Sequence, residues 1–138
     1  KKTIELIRTK GVEEFVKTSV PNLFAPSTKE KRPELIQEQI SNANKFSANA
    51  LIAYQTAMMQ RKDRRDVLKN TQVPVLLVFG KYDNAVPLKD GLEQSSLANN
   101  SLVEILEDSG HMGMKEEARN SNKILSEYLL LDKASHSS

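Results

Sequence analysis

Val73-Pro74-Val75-Leu76-Leu77-Val78-Phe79-Gly80-Lys81-Tyr82-Asp83-Asn84-Ala85-Val86-Pro87 is the stretch whose reading decides the fold. A proline opens an unbroken apolar run from Val75 to Phe79, and Gly80 closes it. The run is rich in Val and Leu and does not alternate with polar residues. That pattern predicts a strand covered on both faces, as in a parallel sheet flanked by helices. Gly80 is expected to let the backbone turn as it leaves the sheet. Asp83 then falls just past the carboxyl end of the strand, the edge where open α/β sheets gather ligands and catalytic groups.

Downstream, Leu102-Val103-Glu104-Ile105-Leu106 reads as a second short strand, followed by Ser109-Gly110-His111-Met112-Gly113. One strand thus delivers an aspartate and the next a histidine. If the two strands are parallel neighbours, both loops lie at one edge of the sheet. An Asp that orients a His tautomer is half of a nucleophilic triad. Each residue also has a plain reading, as a turn residue satisfied by nearby backbone. Gly110 and Gly113 beside the histidine suit a sharp turn and close approach of a substrate. His136 lies in the polar tail and receives no role.

The remaining segments read as helices and turns. Thr3–Lys10 and Val12–Val20 are helical, separated at Gly11, with Phe15, Val16 and Val20 as apolar contacts. Pro21 and Pro26 bracket Asn22-Leu23-Phe24-Ala25, expected to be a loop or single turn whose apolar residues are exposed. Pro33 fits a first helical position, with Leu35, Ile36 and Ile40 as a one-sided stripe and Asn42-Ala43-Asn44 near its end. Ser47 caps a helix over Ala48–Gln60, the most apolar of the first half, carrying Tyr54, Met58 and Met59. Arg61–Asn70 is a charged short helix. Leu88–Ala98 and Lys115–Leu131 complete the set, the last with Ala118, Ile124, Leu125, Tyr128 and Leu129 as its inner face. The domain division expected is a helical lid over residues 1–69, a sheet-bearing part over 70–132 and a disordered tail over 133–138.

Composition narrows the function classes. The 138 residues suffice for one domain with a modest core, and the net charge is +2. A pI near 8.8 without a basic stripe interleaved with aromatics argues against nucleic acid. No apolar run approaches the roughly 18 residues of a membrane span. The absence of cysteine excludes disulfides and thiolate metal sites. A start at Lys1-Lys2, with neither Met nor an apolar signal stretch, is the expectation for a fragment or processed piece, and the setting expected is cytoplasmic.

Pro74 through Gly80, Asp83 with Val86-Pro87, the helix and strand that follow, and Ser109-Gly110-His111 together resemble the C-terminal part of an α/β-hydrolase. The helical stretch before Pro74 resembles the lid of that fold. The resemblance implies an α/β fold with two parallel strands, His111 as catalytic base and Asp83 as its orienting acid. It also implies hydrolysis of a small or medium ester-like substrate without metal or organic cofactor. Val86, Met112, Tyr54 and Met58 are the expected substrate contacts. For Tyr54, Met58 and Phe46 the plainer reading is lid core, because an apolar helical face is usually core. Leu23 and Phe24 are weaker rim candidates. Arg61, Lys62, Arg64 and Arg65 alternate with Asp63 and Asp66 and read as a solvated helix face rather than an anion site.

The family's nucleophile elbow is Gly-x-Ser-x-Gly. The glycines here are Gly11, Gly80, Gly91, Gly110 and Gly113, no two of them four apart, so the motif is not in this chain. The isolated chain is therefore expected to be inactive, with its partner being the half that carries the nucleophile. Cleavage within a loop, strand exchange between two copies, or a lid-plus-remnant held by its helices are the routes considered, in that order. The alternative function is a non-catalytic hydrolase-like protein that binds a ligand or partner.

Overall fold

The computed structural model describes residues 2–135, with side chains through residue 130. Helix α1 (Lys2–Ser19) bends at Gly11, whose φ of 84° is the left-handed region that only glycine adopts without strain. A 3-10 turn over Val20–Leu23 leads into α2 (Pro26–Lys31) and α3 (Pro33–Ala43), both of which begin on a proline. Helix α4 (Ala48–Gln60) starts at Ser47, whose hydroxyl accepts the Ala50 N–H at 3.2 Å. After α5 (Arg65–Asn70) come β1 (Val75–Gly80), α6 (Leu88–Ser95) and β2 (Ser101–Leu106), then α7 (Gly113–Glu116) and α8 (Ala118–Ser135).

The strands β1 and β2 pair in parallel, from Val75 opposite Ser101 to Gly80 opposite Leu106. A parallel pair needs a crossover between its strands, and α6 supplies it, packed so closely on β1 that a Cβ at Gly91 would enter the Phe79 ring. Both strands therefore end at the same edge, and the loops bearing Asp83 and His111 leave the sheet side by side. Helix α8 lies on β2, and the Tyr128 hydroxyl donates to the Pro74 carbonyl at 2.6 Å, tying it to the entry of β1.

The apolar centre lies in the helical half, where Val16, Val20, Phe24 and Ile36 form one buried cluster. This corrects the expectation for residues 22–25. Phe24 and Ala25 are fully buried, because the 3-10 turn rotates Phe24 inward between α1 and α3. Helix α4 departs in the opposite sense. Leu51, Ile52, Gln55 and Thr56 are half-buried and α1 is its main neighbour, but Phe46, Tyr54 and Met58 are exposed, so they are not lid core within this chain. The helix is apolar on more than one face, and among the described residues its main contacts are with α1.

The strands are likewise less covered than their composition predicts. Val78, Leu102 and Val103 are each more than a third exposed, since each strand has one neighbour and few helices over it. The final helix does not run unbroken over Lys115–Leu131. It breaks at Glu117, which leaves the helical region at φ −126° and ψ 53°. Its inner face holds Ser121 and Ile124, whereas Leu125 and Leu129 are exposed. Helix α8 continues to Ser135, and residues 136–138, including His136, lie outside the described residues. The charged segment is helical only from Arg65, where Asp63 Oδ1 accepts the Arg65 N–H at 2.9 Å. The Arg65 guanidinium hydrogen-bonded to this carboxyl lowers its pKa to about 2.

Replacing Phe24 by Ala is expected to cost about 3–5 kcal/mol, as truncating a fully enclosed aromatic does. Urea denaturation checks this. A loss below about 1 kcal/mol would mean that the Phe24 site is not the core.

Candidate functional site

Asp83 and His111 meet at the carboxyl edge of the sheet. His111 Nδ1 lies 2.8 Å from Asp83 Oδ2, with the imidazole partly exposed and the carboxylate largely covered. The other oxygen, Asp83 Oδ1, accepts the Ala85 N–H at 2.7 Å and the Val86 N–H at 2.9 Å. An ionised carboxylate only accepts hydrogen bonds, so Nδ1 carries the proton and Nε2 presents its lone pair. Among the described residues nothing hydrogen-bonds to Nε2. This is the tautomer that a general base needs.

The loops that carry the pair are joined along their backbones. The Lys81 N–H donates to the Leu106 carbonyl at 3.0 Å, and the Tyr82 N–H donates to the Ser109 carbonyl at 2.9 Å. Lys81 and Glu107 add an exposed ion pair at 2.6 Å, whose hydrogen bond raises the lysine pKa. Gly80 is not in a left-handed conformation. Its lack of a side chain matters because the backbone of Ser109 and Gly110 passes where a Cβ would stand. Gly110 faces the helical half in the same way, with Leu23 O 2.8 Å and Ala25 N 2.9 Å from a would-be Cβ. The space beside Gly113 is filled by Leu106. These glycines thus serve close packing of the protein on itself.

Val86, Phe79, Leu106, Met114 and Leu125 line a cleft of about 420 Å³ with Asp83 and His111. Of the expected substrate contacts, Val86 is in this cleft. Met112 instead packs on the helical core, Tyr54 is exposed on α4, and Met58 lines a separate groove with Arg61 and Leu97. Leu23 does reach the site, through its carbonyl, which accepts the His111 N–H at 2.8 Å. Among the described residues no group of three or more His, Asp or Glu stands close enough to hold a metal ion, and no helix is long and apolar enough to cross a membrane.

Glu116 and Glu117 went unrecognised in the sequence. Glu117 Oε2 accepts the Asp108 N–H at 3.0 Å and the Ser109 hydroxyl at 2.7 Å. Glu116 is buried and binds backbone on both sides of His111. Two carboxylates at the start of a helix read as a solvated face, and nothing in the spacing marks them as turned inward.

Residues 41–136 match the TAP-like protein family of α/β-hydrolases. The chain belongs to that family. No curated protein sequence matches this TAP-like chain significantly. Among solved structures, it is similar to an esterase from Thermogutta terrifontis, at 22% identity and a TM-score of 0.85 over 93% of this chain and 47% of the esterase. It is also similar to an enol-lactonase from Burkholderia xenovorans, at 19% identity and a TM-score of 0.82 over 94% of this chain and 49% of the other. An esterase from Exiguobacterium antarcticum matches at 24% identity and a TM-score of 0.77, over 92% and 46% of the two chains. These likenesses show the fold, and the TAP-like chain spans about half the length of the structures it matches.

Gly110→Ala is expected to push the histidine loop off Leu23 and Ala25, with a destabilisation of about 1–3 kcal/mol typical of overpacking. Chemical denaturation reads the stability, and the downfield Nδ1 proton of His111 reads the loop. An alanine variant that keeps both unchanged contradicts the close approach.

Proposed function

We propose that this chain is the C-terminal part of a serine-type α/β-hydrolase acting on a small or medium ester-like substrate. The observation that carries the reading is the 2.8 Å contact between His111 Nδ1 and Asp83 Oδ2, with Nε2 left available at the mouth of an apolar cleft. In this reading His111 takes the proton of an attacking hydroxyl and later returns it to the leaving group. Asp83 holds the ring and stabilises the imidazolium. Val86, with Met114 and Leu125, faces the acyl or alkyl part of the substrate. Tyr54 and Met58 would join them only through a change in the lid.

The nucleophile and the oxyanion donors come from outside these 138 residues. The half-length coverage of the matched esterases supports this, as do the exposed apolar side chains of β1 and β2. The free edge of β1 would take the next strand, supplied by the N-terminal half or, failing that, by a second copy. Either arrangement removes an unpaired edge. A cytoplasmic setting belongs to the same proposal and is read by cell fractionation.

The test is ester hydrolysis by the complete protein, with p-nitrophenyl esters of graded acyl length. His111→Ala is expected to lower kcat by roughly 10⁴-fold or more, and Asp83→Asn by somewhat less, as removal of triad members does. The isolated chain is expected to show no turnover. A His111→Ala protein with nearly full activity would sink the assignment. An upstream elbow carrying Gly or Ala in place of a nucleophile would favour a non-catalytic binding protein instead.

A further inference from the structure

Glu116 is a buried carboxylate, with 4% of its surface exposed, whereas most other acidic groups among the described residues are at the surface. Its two oxygens serve different parts of the molecule. Oε1 accepts the Gly110 N–H at 2.8 Å and the Met112 N–H at 3.3 Å, the residues on either side of His111. Oε2 accepts the Ala25 N–H and the Thr28 hydroxyl, both at 2.7 Å, from the turn into α2. The His111 N–H itself goes to the Leu23 carbonyl at 2.8 Å. Three successive backbone N–H groups of the histidine loop are therefore held, two by Glu116 and one by the segment that Glu116 also holds.

We propose that Glu116 is a positioning residue that couples the helical lid to His111, so that the placement of residues 23–28 sets the placement of the imidazole against Asp83. Charge-assisted hydrogen bonds to a carboxylate are short and directional, and buried donors left without an acceptor are costly. The loop therefore follows the carboxylate, and the carboxylate follows the lid. Lid displacement on substrate entry would reach His111 by this route. Such a coupling differs from a purely structural role because it acts on the His111–Asp83 geometry and not only on the folded population.

The proposal rests on the hydrolase reading for its kinetic consequence but not for its geometric one, so the experiment has two readouts in the full-length protein. One is kcat and KM for ester hydrolysis. The other is the downfield Nδ1 proton of His111, which needs no activity. Glu116→Gln keeps the shape but turns an N–H toward one of the two donor pairs. It is expected to shift or broaden the Nδ1 proton. It is also expected to lower kcat roughly 100-fold with little change in KM, the scale on which a misplaced catalytic group loses rate. Thr28→Val removes one bond on the lid side only, and a smaller loss with a shift of the same resonance is expected. Ile7→Val, which trims a buried side chain of α1 outside the Phe24 cluster, controls for stability alone and should lower Tm without moving either readout.

A folded Glu116→Gln protein with lowered Tm but unaltered kcat and an unmoved Nδ1 proton overturns the coupling. If Glu116→Gln does not fold, Thr28→Val decides by the same two readouts. If the parent protein hydrolyses no ester, the hydrolase reading fails, and the resonance by itself supports or overturns the coupling.

Discussion

The carboxylate of Glu116 is the constraint on which the remainder of the chain depends. It sits between a helical half that contains the apolar core and a sheet-bearing half that contains Asp83 and His111. Few apolar side chains bridge the two, with Met112 the main one on the core cluster. The junction is made instead from hydrogen bonds to one buried anion. Such an anion is tolerable only when several donors replace water, and Ala25, Thr28, Gly110 and Met112 do so. Among the described residues no buried side-chain polar atom is left without a partner.

That arrangement explains the break at Glu117. An unbroken helix from Lys115 onward would carry Glu116 and Glu117 on a solvated face. Ending α7 after one turn lets Glu116 face the turn into α2 and the histidine loop while Glu117 takes Asp108 and Ser109. Local helix geometry is given up for hydrogen bonds that the loop's backbone would otherwise lack. The glycines fit the same picture. Gly80 and Gly110 are small because main chain passes over them, which lets β1, the histidine loop and residues 23–25 approach one another without side chains between.

The exposed apolar residues define what the chain lacks within itself. Val78, Leu102 and Val103 on the strands, and Phe46, Tyr54 and Met58 in the helical half, are placed at surfaces that water does not favour. A parallel two-stranded sheet is a small share of the open sheets in which such strands are usually found. The fold is that of an α/β-hydrolase over about half its length. Its Asp and His are brought to one edge by β1 and β2, because a parallel pair ends both strands on the same side of the sheet.

The sequence by itself determined the two strands, the order Asp then His on their following loops, the capped start of α4 at Ser47, and the bend at Gly11. These are local matters: apolar runs, prolines, a hydroxyl before a helix, and one left-handed glycine. It also placed the Asp83–His111 pair, since parallel pairing of adjacent strands leaves both loops at one edge. Only the tertiary structure decided that Phe24 is core, that Tyr54 and Met58 are not, that the last helix breaks, and that Glu116 is buried. Burial depends on which segments meet in space, and a carboxylate in a helical stretch looks the same in sequence whether its donors are water or the backbone of Ala25, 91 residues away. The choice between them is made by packing, which no local pattern records.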